Sequence, residues 1–161
     1  MLDQLDGRNG TGEFARRSVK NLSFILTASE RGEDVHPVTQ VVGVLLGIVV
    51  FPWERNAFTE VKRKRLASAE REGWPSWRTS GPLGEQNKVK TVGDLIKQVR
   101  HSVAHGHVRF DSDSRQLNQV IVTFENRGKS GNELQWSGSI RADDLASFCR
   151  LFSDSVADCV A

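Results

Sequence analysis

Arg100-His101-Ser102-Val103-Ala104-His105, followed directly by Gly106, gathers a permanent cation, a group that titrates near neutral pH and a second imidazole within about one and a half helical turns. Those are the parts needed to cleave a phosphodiester without a metal. A guanidinium can stabilise charge building on phosphorus, and an imidazole can move a proton. Spacing alone decides little. With 15 Arg and 4 His in the chain, about one Arg-to-His pair of this kind arises by chance. A second one exists, Arg31…His36. It lies in a polar connection and runs into Pro37, and proline disfavours helical geometry at the residue before it. That pair has no rigid frame and is rejected.

The hexapeptide does have one. Val89, Val92, Ile96, Val99 and Val103 repeat at alternating three and four, which predicts a helix from near Lys88 with Gly106 as its C-terminal glycine. At 100° per residue, Arg100 lies about 60° from the valine stripe, whereas His101 and His105 lie within about 40° of each other and almost opposite it. A satisfied core histidine does not describe two imidazoles that face away from the core. The competing structural account is a solvated polar face near a helix end, where the dipole mildly favours cationic His.

Other elements must hold this helix in place. Phe14, Leu22, Ile25 and Leu26 keep helical spacing from Glu13 to about Ser29. Val38 to Phe51 is apolar nearly all round, as a central bundle helix would be, with Pro52 closing it. A charged helix is expected from Asn56 to Glu72, then a Gly/Pro-bearing loop over residues 73–87. After Gly106 the period changes to two. Val120, Val122 and Phe124, then Leu134, Trp136 and Ile140, predict a β-hairpin, joined by a short strand around Val108 and Phe110. A helix from about Ala142 to Ala157 closes the chain. The fold class is therefore mainly α: a helical bundle with a small antiparallel β-hairpin or sheet inserted before the C-terminal helix. One domain is expected over residues 13–158, after a loose polar stretch over residues 1–12.

Composition removes several classes. A net charge of +2 gives no global basic field, so any nucleic-acid signal must be local. The apolar run of about 14 residues ending at Phe51 falls short of the roughly 20 that span a membrane. No basic stretch followed by an apolar one opens the chain, so a cytoplasmic protein with no membrane partner is expected. Cys149 and Cys159 sit ten residues apart on one predicted helix, too far for a disulfide. Metal binding by His101, His105 and His107 is the next rival. No thiolate or nearby carboxylate completes a tetrahedral set, and Arg100 would repel a dication. No metal and no cofactor are assigned.

The match Arg100-His101-Ser102-Val103-Ala104-His105, on a late helix of a bundle, resembles the Arg-polar-x-x-x-His motif of the HEPN superfamily. The continuation Gly106-His107-Val108-Arg109-Phe110 is similar to HEPN proteins of bacteria, and Leu45-Leu46-Gly47-Ile48-Val49-Val50-Phe51-Pro52-Trp53-Glu54 resembles a bacterial HEPN subgroup. The resemblance covers residues 13 to 158. It implies an HEPN-like bundle and a metal-independent endoribonuclease, a toxin or phage-defence effector. Two copies of the motif would meet in a homodimer with a composite site, and an antitoxin or regulatory partner is possible. Residue by residue it makes Arg100 and His105 catalytic and His101 the auxiliary polar group. The chemistry agrees: RNA carries its own nucleophile, the 2′-hydroxyl, so proton transfer suffices and the products would be a 2′,3′-cyclic phosphate and a 5′-hydroxyl.

RNA contact has a thinner basis. Lys62-Arg63-Lys64-Arg65, with Arg55 and Arg71 nearby, could neutralise phosphates, although such a run is more often a solvated helix face. Trp74 and Trp77 could stack on unpaired bases, or simply pack on the bundle. Ser102 and His107 could assist by hydrogen bonding, and Asn21 and Glu54 are polar candidates without further support. The alternative function is a non-catalytic HEPN module that binds RNA, nucleotide or protein. A zinc protein using the three histidines is the third.

Overall fold

A computed structural model describes residues 9–53, 59–82 and 88–158. Helix α1 (Asn9–Glu30) begins four residues before the expected start and packs on α2 (Pro37–Trp53). Its buried side is Ala15, Leu22 and Ala28, whereas Phe14, expected in the stripe, is 40% exposed. In α2 the buried positions are Val41, Val44, Leu45, Ile48 and Val49, with Val42 and Leu46 half-buried. The helix runs one residue past Pro52, since proline removes only one backbone donor at a helix end.

The charged helix expected from Asn56 to Glu72 is instead two short ones, α3 (Thr59–Arg63) and α4 (Leu66–Arg71). Residues 56–58 lie outside the described part. The break has a tertiary cause. The amide of Leu66 donates to the Lys90 carbonyl at 2.9 Å and that of Val92 to the Lys64 carbonyl at 2.9 Å, so Arg65 and Thr91 form an antiparallel bridge. Backbone groups that would continue one helix are spent on the segment leading into α5 (Val92–Ala104).

The stretch expected as a loop over residues 73–87 contains a strand, β1 (Arg78–Ser80); residues 83–87 lie outside the described part. All three β1 residues are exposed, so no apolar alternation announces them. The strand forms by pairing with the edge of β4 (Leu134–Arg141). With β2 (Val108–Phe110) and β3 (Ile121–Arg127), the sheet is antiparallel in the order β1-β4-β3-β2. Helix α6 (Ala142–Asp158) follows directly. The mainly helical architecture with a small antiparallel sheet before the last helix is as expected, with β1 added.

One core joins the layers. Val122, Phe124, Trp136 and Ile140 from the sheet cluster with Leu95, Ile96 and Val99 of α5 and with Leu145, Phe148 and Phe152 of α6. Cys149 belongs to it, fully buried, and burial pushes its thiol up to about 12. Cys159 lies outside the described residues. Among the described residues no helix is long and apolar enough to cross a membrane.

Candidate functional site

Both ends of α5 are fixed by local chemistry. At its start, Thr91 Oγ1 accepts from the Asp94 amide at 3.1 Å and Asp94 Oδ2 accepts from the Thr91 amide at 2.9 Å, a reciprocal capping box. Helical geometry therefore begins at Val92 rather than near Lys88. At its end, Gly106 takes φ of +68°; its amide reaches the Val103 carbonyl at 3.0 Å, and the His107 amide reaches the Ser102 carbonyl at 2.8 Å. That double bond is a Schellman stop. It makes His105 the C-cap and turns His107 back beside it.

Three imidazoles result in a row. The ring centroids of His101 and His105 are 4.5 Å apart, and those of His105 and His107 are 6.2 Å apart. His101 and His105 are exposed and Arg100 is half-buried, as helical phase predicts. Partial desolvation of the exposed ring pushes the His101 pKa below the ordinary imidazole value, and His105, His107 and Lys97 add to the effect. His101 therefore stands neutral at neutral pH. Among the described residues no group of three or more His, Cys, Asp or Glu is arranged to hold a metal ion.

Ser102 is not at the surface. It is fully buried, its single hydroxyl proton shared between the Gln98 carbonyl at 2.9 Å and Asn126 Oδ1 at 2.9 Å. Asn126 Nδ2 in turn donates to the Gln98 carbonyl at 3.1 Å and to Gln98 Oε1. The main chain of His107 continues the same seam, its carbonyl accepting from the Glu125 amide at 3.0 Å. These bonds bolt the motif helix to strand β3.

The four-residue basic run is divided rather than presented as one face. Lys62 lies near the motif: burial lowers its pKa first, and the Arg100 charge lowers it further. The close approach of α3 to α5 at Gly93, where a Cβ would stand 2.8 Å from the Lys62 carbonyl, sets that position. Lys64 turns away, ion-paired with Glu72 and 5.8 Å from the Trp74 ring. Arg63 is 3.9 Å from Glu60, and Arg65 is the N-cap of α4. The tryptophans are not stacking platforms. Trp74 is 7% exposed and meets Phe148 edge-on at 5.5 Å; Trp77 packs on Phe124 at 5.7 Å and Phe148 at 5.5 Å. Asn21 is exposed on α1, remote in sequence and element from α5, and Glu54 and Arg55 lie outside the described residues. Arg31 and His36 sit exposed in the connection between α1 and α2, not on a helix.

Beside the imidazole row opens a cleft of about 670 Å³ between α5 and the β3–β4 hairpin. Lys97, Gln98, Arg100 and His101 form one wall, and Asn126, Arg127 and Gln135 the other. His105 is not part of either wall.

The family model of HEPN pEK499 p136 matches residues 7–159. The chain belongs to the HEPN superfamily. The match takes in α1 through α6 and so covers the span that the sequence resemblance claims. No curated protein and no solved structure matches this HEPN chain. Within the HEPN fold, reading the sequence missed Lys97, Gln98, Asn126, Arg127 and Gln135. One signal was available: Asn126 and Arg127 continue a strand whose preceding inward positions are apolar, so a polar Asn there has to find a partner.

Proposed function

We propose that this HEPN chain is a metal-independent endoribonuclease that cuts RNA through attack of the 2′-hydroxyl, leaving a 2′,3′-cyclic phosphate and a 5′-hydroxyl. His105 moves the proton, Arg100 stabilises the charge on the phosphorane, and His101 orients the scissile group as a neutral imidazole. The observation that carries the reading is the convergence at one helix end of an exposed His105, the His101 ring 4.5 Å from it and the half-buried Arg100. HEPN membership supports it, since HEPN domains are often ribonucleases. A role as a toxin or phage-defence effector, silenced by an antitoxin-like partner, fits such an activity.

The test is incubation of purified protein with RNA in EDTA beside His105→Ala and Arg100→Ala variants, with the new ends identified chemically. The expected result is cyclic-phosphate products from the parent alone. Intact RNA near neutral pH, or equal cutting by the variants, refutes the reading, and inhibition by EDTA would favour a metal instead. One observation favours a second reading, a non-catalytic module. The cleft beside the motif contains Arg100 and His101 but not His105, so RNA can be held there without the residue that would cut it.

A further inference from the structure

The uncommitted polar groups of the α5–hairpin cleft are mostly donors. Gln98 Oε1 accepts from Asn126 Nδ2, and the Gln98 N–H groups are left as donors. Asn126 spends both its donors on Gln98 and its oxygen on Ser102. Lys97 is exposed and has no ion pair or hydrogen bond among the described residues. Arg127 donates Nε and Nη2 to Glu125 Oε2, at 3.2 and 2.8 Å, which fixes its plane and leaves Nη1. Gln135 sits where the register shifts, with Asn126 opposite Trp136 and Arg127 opposite Leu134, so it is the extra residue of a bulge. Bulges re-aim side chains, and this one turns an amide to the cleft. Among the described residues no carboxylate lines the space.

A wall of donors around three cations asks for a ligand rich in acceptors and negative charge. We infer that this cleft binds the phosphodiester backbone of single-stranded RNA flanking the motif, with Lys97 and Arg127 on phosphates and Gln135 on a base edge. The inference rests on the nuclease reading for the direction in which the strand continues, toward Arg100 and His105. It replaces the basic run at residues 62–65 as the main contact.

The probe is a short fluorescein-labelled single-stranded oligoribonucleotide, titrated by anisotropy into full-length His105→Ala protein, so that cutting does not intervene. Lys97→Ala and Arg127→Ala are added singly, with Arg31→Ala removing the same charge outside the cleft. Glu125 keeps Arg109 at 2.8 Å when Arg127 is lost, so the sheet retains that ion pair. Each cleft variant is expected to raise Kd roughly tenfold, the scale of one charge-assisted hydrogen bond. Each should also shallow the log K against log salt slope by about 0.7. Arg31→Ala should do neither. Gln135→Ala should change the preference among bases with the salt slope retained.

Unchanged Kd and slope in both Lys97→Ala and Arg127→Ala overturn the inference, as does a nucleoside monophosphate that competes as tightly as the oligomer. Cleavage measured in parallel with His105 intact separates the two claims. RNA cut equally well by the cleft variants and the parent sinks the cleft and leaves the nuclease. RNA bound through Lys97 and Arg127 but never cut sinks the nuclease and leaves the cleft.

Discussion

His105 is the C-cap of α5, and one turn earlier partial desolvation holds the His101 pKa below the ordinary imidazole value, with His105, His107 and Lys97 adding to the effect. The two rings are 4.5 Å apart. His105→Ala is expected to lower the cleavage rate by about 10²–10⁴, the usual worth of a positioned general acid or base, with the circular dichroism spectrum unchanged. Arg100→Lys keeps the charge but loses the planar fork, and should cost activity that Lys cannot restore. Protonation of His101 also bears on stability. Its folded pKa lies below its unfolded one, so the unfolded chain binds more protons as pH falls through the ordinary imidazole range near about 6.5. The associated stability is present above that range and is lost toward acid. Urea midpoints of parent and His101→Asn, compared near pH 7.5 and near pH 5.5, should show the parent losing more on acidification. An equal loss in both would remove His101 from the account. At this scale the sequence was informative: residue types and helical phase located Arg100, His101 and His105 on the correct sides of α5. Ser102 escaped, because a wheel drawn for one helix does not know that a strand will cover its flank.

Elements were legible where they carry their own period, and illegible where another element makes them. The valine stripe of α5 and the alternation of β3 and β4 could be read directly. The break between α3 and α4 arises from the Arg65–Thr91 bridge, and β1 exists because β4 offers it an edge. Neither cause is local. The seam between α5 and β3 is the element-level feature on which the site depends, and it predicts two measurable costs. Ser102→Ala leaves Asn126 Oδ1 buried without its donor and should cost about 1–3 kcal/mol in urea unfolding. In a double-mutant cycle with Asn126→Ala the two changes should be non-additive by about 0.5–3 kcal/mol; strict additivity would mean that the pair does not act as a unit. Gly93→Ala acts on the opposite flank. Its methyl would meet the Lys62 carbonyl, so α3 must retreat from α5 and carry Lys62 away from Arg100. The expected outcome is a loss of stability of about 1–3 kcal/mol in urea unfolding, the scale of overpacking.

For the molecule as a whole, one protomer holds Arg100 and His101 in a cleft and His105 outside it, at the exposed end of α5. We propose that a scissile phosphate held at Arg100 meets the His105 of a second copy, brought in across a two-fold axis, since His105 of the same chain lies outside the cleft. An isologous pair places the same helix end on both sides of the seam, so each of two sites would take Arg100 from one protomer and His105 from the other. Complementation tests this without knowledge of the natural target. Arg100→Ala and His105→Ala proteins, each inactive alone, are mixed in equal amounts, allowed to exchange protomers, and assayed on RNA. Half the dimers are then mixed, and each mixed dimer carries one intact site and one doubly defective site. Recovery should reach about one quarter of parental activity. It should be lost on dilution below the dimer dissociation constant, read independently by sedimentation. Recovery near zero, with protomer exchange shown by differently labelled chains, would place Arg100 and His105 of each site on a single chain. The dimer would then have to act by positioning the helix end rather than by lending a residue.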